Sequence, residues 1–124
     1  MPFALDVTPG EPLARVRAWG RDDFESTLDA MRRIGGDARL VPGMAVLMDV
    51  RELDYLATPP EVAAFAESGA MPALFSGHRV AILVRRGTQF GVARAFASQV
   101  EGSGAEIEVF VEPELALAWL DVAR

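Results

Sequence analysis

Two short stretches group residue types that could do chemistry together. In the first, AVLMDVRELDYLATPPE at 45–61, Asp49, Arg51, Glu52 and Asp54 crowd together, and the hydroxyl of Thr58 follows soon after. Carboxylates beside a guanidinium could trade protons as a general acid and base. The same residues also suit a solvated loop in which Asp49 accepts hydrogen bonds from backbone N–H groups, because charged loop residues ordinarily face water. In the second stretch Arg85, Arg86, Gly87 and Thr88 precede a run with helical spacing. An anionic group could be met there by guanidinium charge and free helix N–H groups. Strand-end charge followed by Thr88 as a helix cap explains that pattern without a ligand. His78 has no partner in sequence that would mark a catalytic triad, so a structural or surface role is expected of it.

Composition closes off several other chemistries. The chain has no cysteine, which removes disulfides, thiolate nucleophiles and cysteine-ligated zinc. Its single histidine cannot build a multi-histidine metal site, and no metal or cofactor is expected. All twelve basic residues are arginine, so Schiff-base and P-loop lysine chemistry are absent as well. A net charge of −6 argues against a general nucleic-acid binder, whose affinity rests on clustered basic residues. No apolar run approaches the roughly 18 to 20 residues of a membrane span. The start, MPFALDVTPGEP, lacks the basic region and apolar core of a signal peptide, and a cytoplasmic protein is the expectation. At 124 residues one domain over 1–124 is expected, burying roughly two-thirds of its unfolded surface.

The elements that must position these residues follow from hydrophobic spacing. FALDV at 3–7 and LARVRAW at 13–19 alternate and flank the turn chemistry of TPGEP, which predicts a β-hairpin. Gly20 ends the second strand, and Asp22 with Glu25 reads as a capping box. The helix that follows has Phe24, Leu28, Met31 and Ile34 on one face and ends at Gly35 and Gly36, glycines suited to a left-handed stop. Ala45 to Met48 offer water no polar side chain, as in a strand buried on both faces, and RELDYLA after Asp49 reads as a loop. Thr58, Pro59 and Glu61 spell a helix start: a cap, a first-turn proline and a capping-box partner. That helix carries Val62, Phe65, Ala66 and Gly69 on one face and is expected to break near Ala70, because Pro72 would cost a continuous helix about 3 kcal/mol. A short second piece would then run through Phe75. RVAILV at 79–84 is a further buried strand. The helix after it, from about Phe90 to Val100, has Phe90, Ala93, Phe96, Ala97 and Val100 inward. AEIEVFV at 105–111 is the last strand, and a final helix from Pro113 turns Leu115, Ala118, Trp119 and Val122 inward.

The order β-β-α-β-α-β-α-β-α predicts an α/β domain with right-handed crossovers between parallel strands and an antiparallel first edge strand. If every helix covered one face, the other would be apolar at its centre and charged at its margins. Such a face calls for a dimer, another partner or a helix across its middle.

With this element order, three stretches resemble the STAS superfamily: LARVRAWG, VLMDVRELD and FGVARAFASQVEGSGAEIEVFVEPELALAWL. The resemblance is to the small SpoIIAA-like, anti-sigma-factor-antagonist-like proteins, also described as STAS/SEC14-like. It implies a five-stranded mixed sheet with strands in sequential order, wound as a β-α superhelix, in a bacterial cytosolic protein. True anti-sigma-factor antagonists carry an aspartate after the third strand, then a serine at the next helix start that a partner kinase phosphorylates. Asp49 matches the aspartate. The Asp-Ser-Ser-Gly segment is absent, and the nearest hydroxyl is Thr58, followed by two prolines. Phosphate at Thr58 would meet free helix N–H groups, but the residue already has a sufficient task as a cap.

The resulting expectation is a non-enzymatic protein-interaction or regulatory module that engages a partner protein or a second copy of itself. The alternative is a binder of a small apolar or amphipathic, lipid-like molecule in a pocket between the 59–75 helix and the sheet. Candidate binding residues are Asp49, Arg51, Thr58, Phe65, Arg85, Arg86 and Thr88.

Overall fold

A computed structural model describes residues 1–8, 10–68, 76–101, 104 and 106–121. Five strands are joined in one sheet in the order in which they occur in the chain: β1 (Phe3–Val7), β2 (Leu13–Arg21), β3 (Ala45–Asp54), β4 (Arg79–Leu83) and β5 (Glu106–Phe110). β1 pairs antiparallel with β2 and the remaining pairs are parallel. Sequential parallel pairing requires a crossover after each strand from β2 on. Helices α1 (Phe24–Gly35), α2 (Pro59–Glu67) and α3 (Thr88–Val100) follow β2, β3 and β4, and α4 (Pro113–Leu120) follows β5.

The register divides the strand residues between two cores. Ala14, Val16 and Ala18 of β2 share one face with Val46 and Met48, Val80 and Ile82, and Val109, and pack against Leu28, Met31 and Ile34 of α1 and Phe65 of α2. On the opposite face Leu13, Ala45 and Ala81 meet Ala116 and Leu120 of α4, with Leu47, Phe110 and Trp119 around them. A helix therefore crosses the middle of the second face. It covers β3 to β5 and leaves Arg15 and Arg17 of β2 exposed.

Several boundaries differ from the sequence reading, the strand ends among them because tertiary pairing outweighs a local signal. β2 continues through Gly20, at φ 80°, to Arg21. β3 runs through the charged segment to Asp54, since Trp19, Gly20 and Arg21 pair with Glu52, Leu53 and Asp54; only residues 55–57 connect it to Thr58. The cap of α1 is Asp23, which accepts from Ser26 N–H, rather than Asp22. The Asp22 carboxylate is instead taken by the Thr27 hydroxyl and, at 2.9 Å, by the amino group of Met1. Gly36 closes α1 at φ −89°, so the helix stops without a left-handed residue. The inward stripe of α4 is shifted: Ala116 and Leu120 are buried, while Leu115 is 61% exposed and Ala118 is exposed. Phe90 likewise lies outside the core, and Gln89 is buried in α3. α2 ends at Glu67. The expected break near Ala70 and Pro72, the piece through Phe75, and the readings of Gly69, Ala105 and Val122 lie outside the described residues.

Candidate functional site

The candidate residues separate into three environments. Asp49 and Arg51 lie near the uncovered half of the sheet, two residues apart on β3. The Arg51 guanidinium grips both Asp49 oxygens, Nε to Oδ1 at 3.0 Å and Nη2 to Oδ2 at 2.8 Å, and Arg51 N–H donates to Oδ1 at 3.1 Å. Burial alone would push the Asp49 carboxyl up. The side-chain and backbone bonds from Arg51, with the charge of Arg17, outweigh it and hold the carboxyl below its usual range. Asp49 in turn stabilises the charged form of Arg51. A carboxylate so saturated is a poor base. The expected backbone hydrogen bond to Asp49 is present, but on a strand rather than in a loop.

A second environment is the stretch of β3 beyond the end of β4. β4 stops at Leu83, opposite Asp49, while β3 continues for five residues. Its carbonyls on that side need donors, because a buried unpaired carbonyl is costly. Two side chains supply them. Gln89 Nε2 donates to Val50 O at 2.7 Å while its Oε1 accepts from Arg85 N–H at 2.6 Å. Arg85 Nη1 donates to Arg51 O and, at 3.2 Å, to Leu53 O. Arg85 is thus spent on backbone. Arg86 pairs with Glu112 at 2.8 Å, and Thr88 does not cap α3, whose N-cap is Gly87 with no side-chain bond. The anion site suggested by Arg85, Arg86 and Thr88 is therefore not assembled: the two guanidinium groups are separately engaged. Gln89 escaped the sequence reading because nothing in a single glutamine signals which two backbones it will bridge.

The third environment is a pocket. Thr58 caps α2 as expected, accepting from Glu61 N–H at 3.4 Å while Glu61 Oε1 accepts from Thr58 N–H at 2.9 Å. This box fixes where α2 begins and so aims Val62 and Phe65 at the sheet. Phe65 is buried and packs in a tilted arrangement against Phe24, ring centroids 4.7 Å apart, and edge-on against Tyr55 at 6.5 Å. Beside these rings an apolar pocket of about 130 Å³ lies between α2, α3 and the ends of β3 and β4, bounded by Met48, Leu53, Leu56, Val62, Ala93 and Phe96 among others. A shallower groove of about 360 Å³ continues it between α2 and α3, sharing Ala57, Val62 and Val92 and reaching Pro59 and Thr88. Leu56, 45% exposed, stands at the pocket.

Of the polar groups lining this pocket, two are occupied structurally and one is not. Thr27 donates to Asp22, and Gln89 is held as described. The Tyr55 hydroxyl is buried without a partner in full hydrogen-bonding geometry; burial and the nearby Glu61 carboxylate raise its pKa. His78, also buried, lies far along the chain from these groups, its Nδ1 2.8 Å from Met44 O. Among the described residues no three His, Asp or Glu side chains converge as metal ligands would, and no helix is long and apolar enough to cross a membrane. The structure thus brings Phe65 to the pocket and Thr88 to the groove that continues it, leaves Thr58 as the cap of α2 outside both linings, and places Asp49, Arg51, Arg85 and Arg86 in ion pairs or backbone contacts.

No protein-family model matches the sequence, and no curated protein does. A solved structure is similar: a Shewanella loihica PV-4 protein described as an uncharacterized member of the DUF3478 family with a SpoIIAA-like fold. The similarity spans 96% of this chain and 92% of that one, with a TM-score of 0.57 and 19% sequence identity. Sequential strand order, the antiparallel first edge strand and this likeness together show that the chain has the SpoIIAA-like fold.

Proposed function

We propose that the protein is a non-enzymatic recognition module that takes an apolar group of a partner protein in the cleft between α2 and α3. The observation that carries this reading is the pocket of about 130 Å³ with its apolar lining at the strand ends. Small-molecule sites usually occupy about 300 Å³ or more, whereas a cavity near 150 Å³ holds a single benzene ring. One aromatic or branched side chain inserted by a partner matches the smaller figure. Such an anchor in a desolvated pocket is the usual source of affinity in protein recognition. The Asp49–Arg51 pair and the Arg85–Gln89 clamp favour binding over catalysis, since their polar atoms are committed to the fold.

A second reading has its own support. The groove of about 360 Å³ that prolongs the pocket would let an elongated apolar or amphipathic molecule lie along α2 with one end inserted. One experiment separates the two. A photo-crosslinking amino acid at Leu56 is activated in cells of the native host, and the products are mapped by mass spectrometry. A discrete peptide of another protein, lost when Ala93→Phe fills the pocket, supports the first reading. A small-molecule adduct on the intact chain, displaced by the same substitution, supports the second. Crosslinks unchanged by Ala93→Phe would overturn both.

A further inference from the structure

β5 borders the sheet, and no described strand lies beyond it. Glu106 N–H donates to His78 O, and Phe110 O accepts from Val84 N–H. Strand backbones alternate, so residues 106, 108 and 110 direct their polar groups at β4 while Ile107 and Val109 direct theirs outward. The outward N–H of Val109 is met by the carboxylate of its own neighbour: Glu108 Oε1 accepts it at 3.1 Å and is itself held by Arg94 Nη1 at 2.8 Å. Among the described residues nothing donates to the outward carbonyls of Ile107 and Val109. Such an edge is a template for another extended chain.

The edge is also the floor of a cleft. About 430 Å³ of space lies over Glu106 to Glu108, walled by Ala97 and Ser98 of α3, by Glu101 at its end and by Trp119 of α4. A strand edge recessed between two helices fits an added strand better than a flat surface would. Charge narrows the choice. Glu108 has Arg94, and Glu106 lies 3.2 Å from Arg79, within ion-pair distance though outside hydrogen-bonding geometry. Glu101 has no ionic partner among the described residues. The geometry points to β-strand addition at β5 by an extended, basic segment of a partner protein, with backbone bonds at Ile107 and Val109 and a cationic side chain at Glu101. This surface is separate from the α2–α3 pocket and does not depend on its role.

A second copy of the chain is a poorer occupant. Antiparallel pairing of β5 with itself would oppose glutamates across the join, an unfavourable arrangement. Adding the β1 edge of another copy, whose one charged residue is Asp6, supplies no cation to Glu101.

The test uses the full chain and three capped peptides: Lys-Val-Lys-Val-Lys, its glutamate counterpart and Lys-Pro-Lys-Pro-Lys, which keeps the charge but cannot pair as a strand. Amide exchange at Ile107, followed by NMR, reports strand pairing, and Trp119 fluorescence reports occupancy. The basic alternating peptide should slow exchange at the Ile107 amide, that of Val109 being already held by Glu108, the other two peptides should not, and Glu101→Arg should weaken binding about tenfold, as reversal of a complementary charge does. Equal binding by the proline peptide, or an unprotected Ile107 amide at millimolar peptide, would overturn the assignment. So would β5-mediated self-association without peptide. The peptide comparison on the unaltered chain decides the question even where the variant misfolds.

Discussion

Gln89 is a single buried side chain joining two backbones that no strand connects, and replacing it isolates that role. Gln89→Leu keeps the volume but leaves Val50 O and Arg85 N–H without partners, which should cost about 1–3 kcal/mol. Urea unfolding with an unchanged slope and a lower midpoint would show it; an unchanged midpoint would show that water substitutes for the amide. Asp22 and Asp49 make a prediction about pH. In Asp22 burial would raise the pKa, but the bonds from Thr27 and the Met1 amino group outweigh it, and in Asp49 the bonds from Arg51 do the same. Both folded values therefore lie below the usual 3.8. Stabilisation from a depressed carboxyl is fully present above the unfolded value and is lost as pH falls through the folded one. The thermal midpoint should hold down to about pH 5 and then decline, with a shallower decline in Asp49→Asn. A midpoint that rises on acidification would contradict the assignment.

At the scale of elements, α2 and α4 show opposite degrees of legibility. The start of α2 was readable because Thr58, Pro59 and Glu61 act on one another within a single turn. Thr58→Ala should cost about 1 kcal/mol, and Thr58→Ser much less, as measured by chemical denaturation. Equal losses for the two would mean that the cap is not the residue's contribution. The face of α4 was not readable: its eight residues, PELALAWL, are apolar in most directions, so several stripes fit. Contact with β3 and β4 chooses Ala116 and Leu120, because the alanine lets the helix backbone approach the sheet. Ala116→Leu should therefore cost about 1–3 kcal/mol by overpacking, whereas Leu115→Ser should stay within about 0.5 kcal/mol. The reverse order in thermal melts would restore the Leu115 stripe.

For the whole molecule, the recognition proposed for the pocket under α2 and α3 would come at the expense of packing. Filling such a cavity commonly stabilises a protein by about 0.5–2 kcal/mol. Ala93→Val, which adds two methyl groups at the pocket wall, should raise the unfolding midpoint while lowering Leu56 crosslinking to the partner. A rise in stability with crosslinking intact would place recognition elsewhere, with the β5 edge as the next surface to examine.

The sequence by itself determined the element order, the antiparallel first strand and the capped start of α2. These depend on alternation, helical spacing and single-turn contacts, all local along the chain. Tertiary structure alone decided the fate of the charged residues. The run from Asp49 to Asp54 looked like a loop because its side chains are polar, but a strand needs only backbone partners, and Trp19 to Arg21 on one side with Arg85 and Gln89 on the other provide them. Arg85 and Gln89 lie more than thirty residues along the chain from the carbonyls they bind. No local pattern encodes such a pairing, since it exists only after β4 has been laid beside β3.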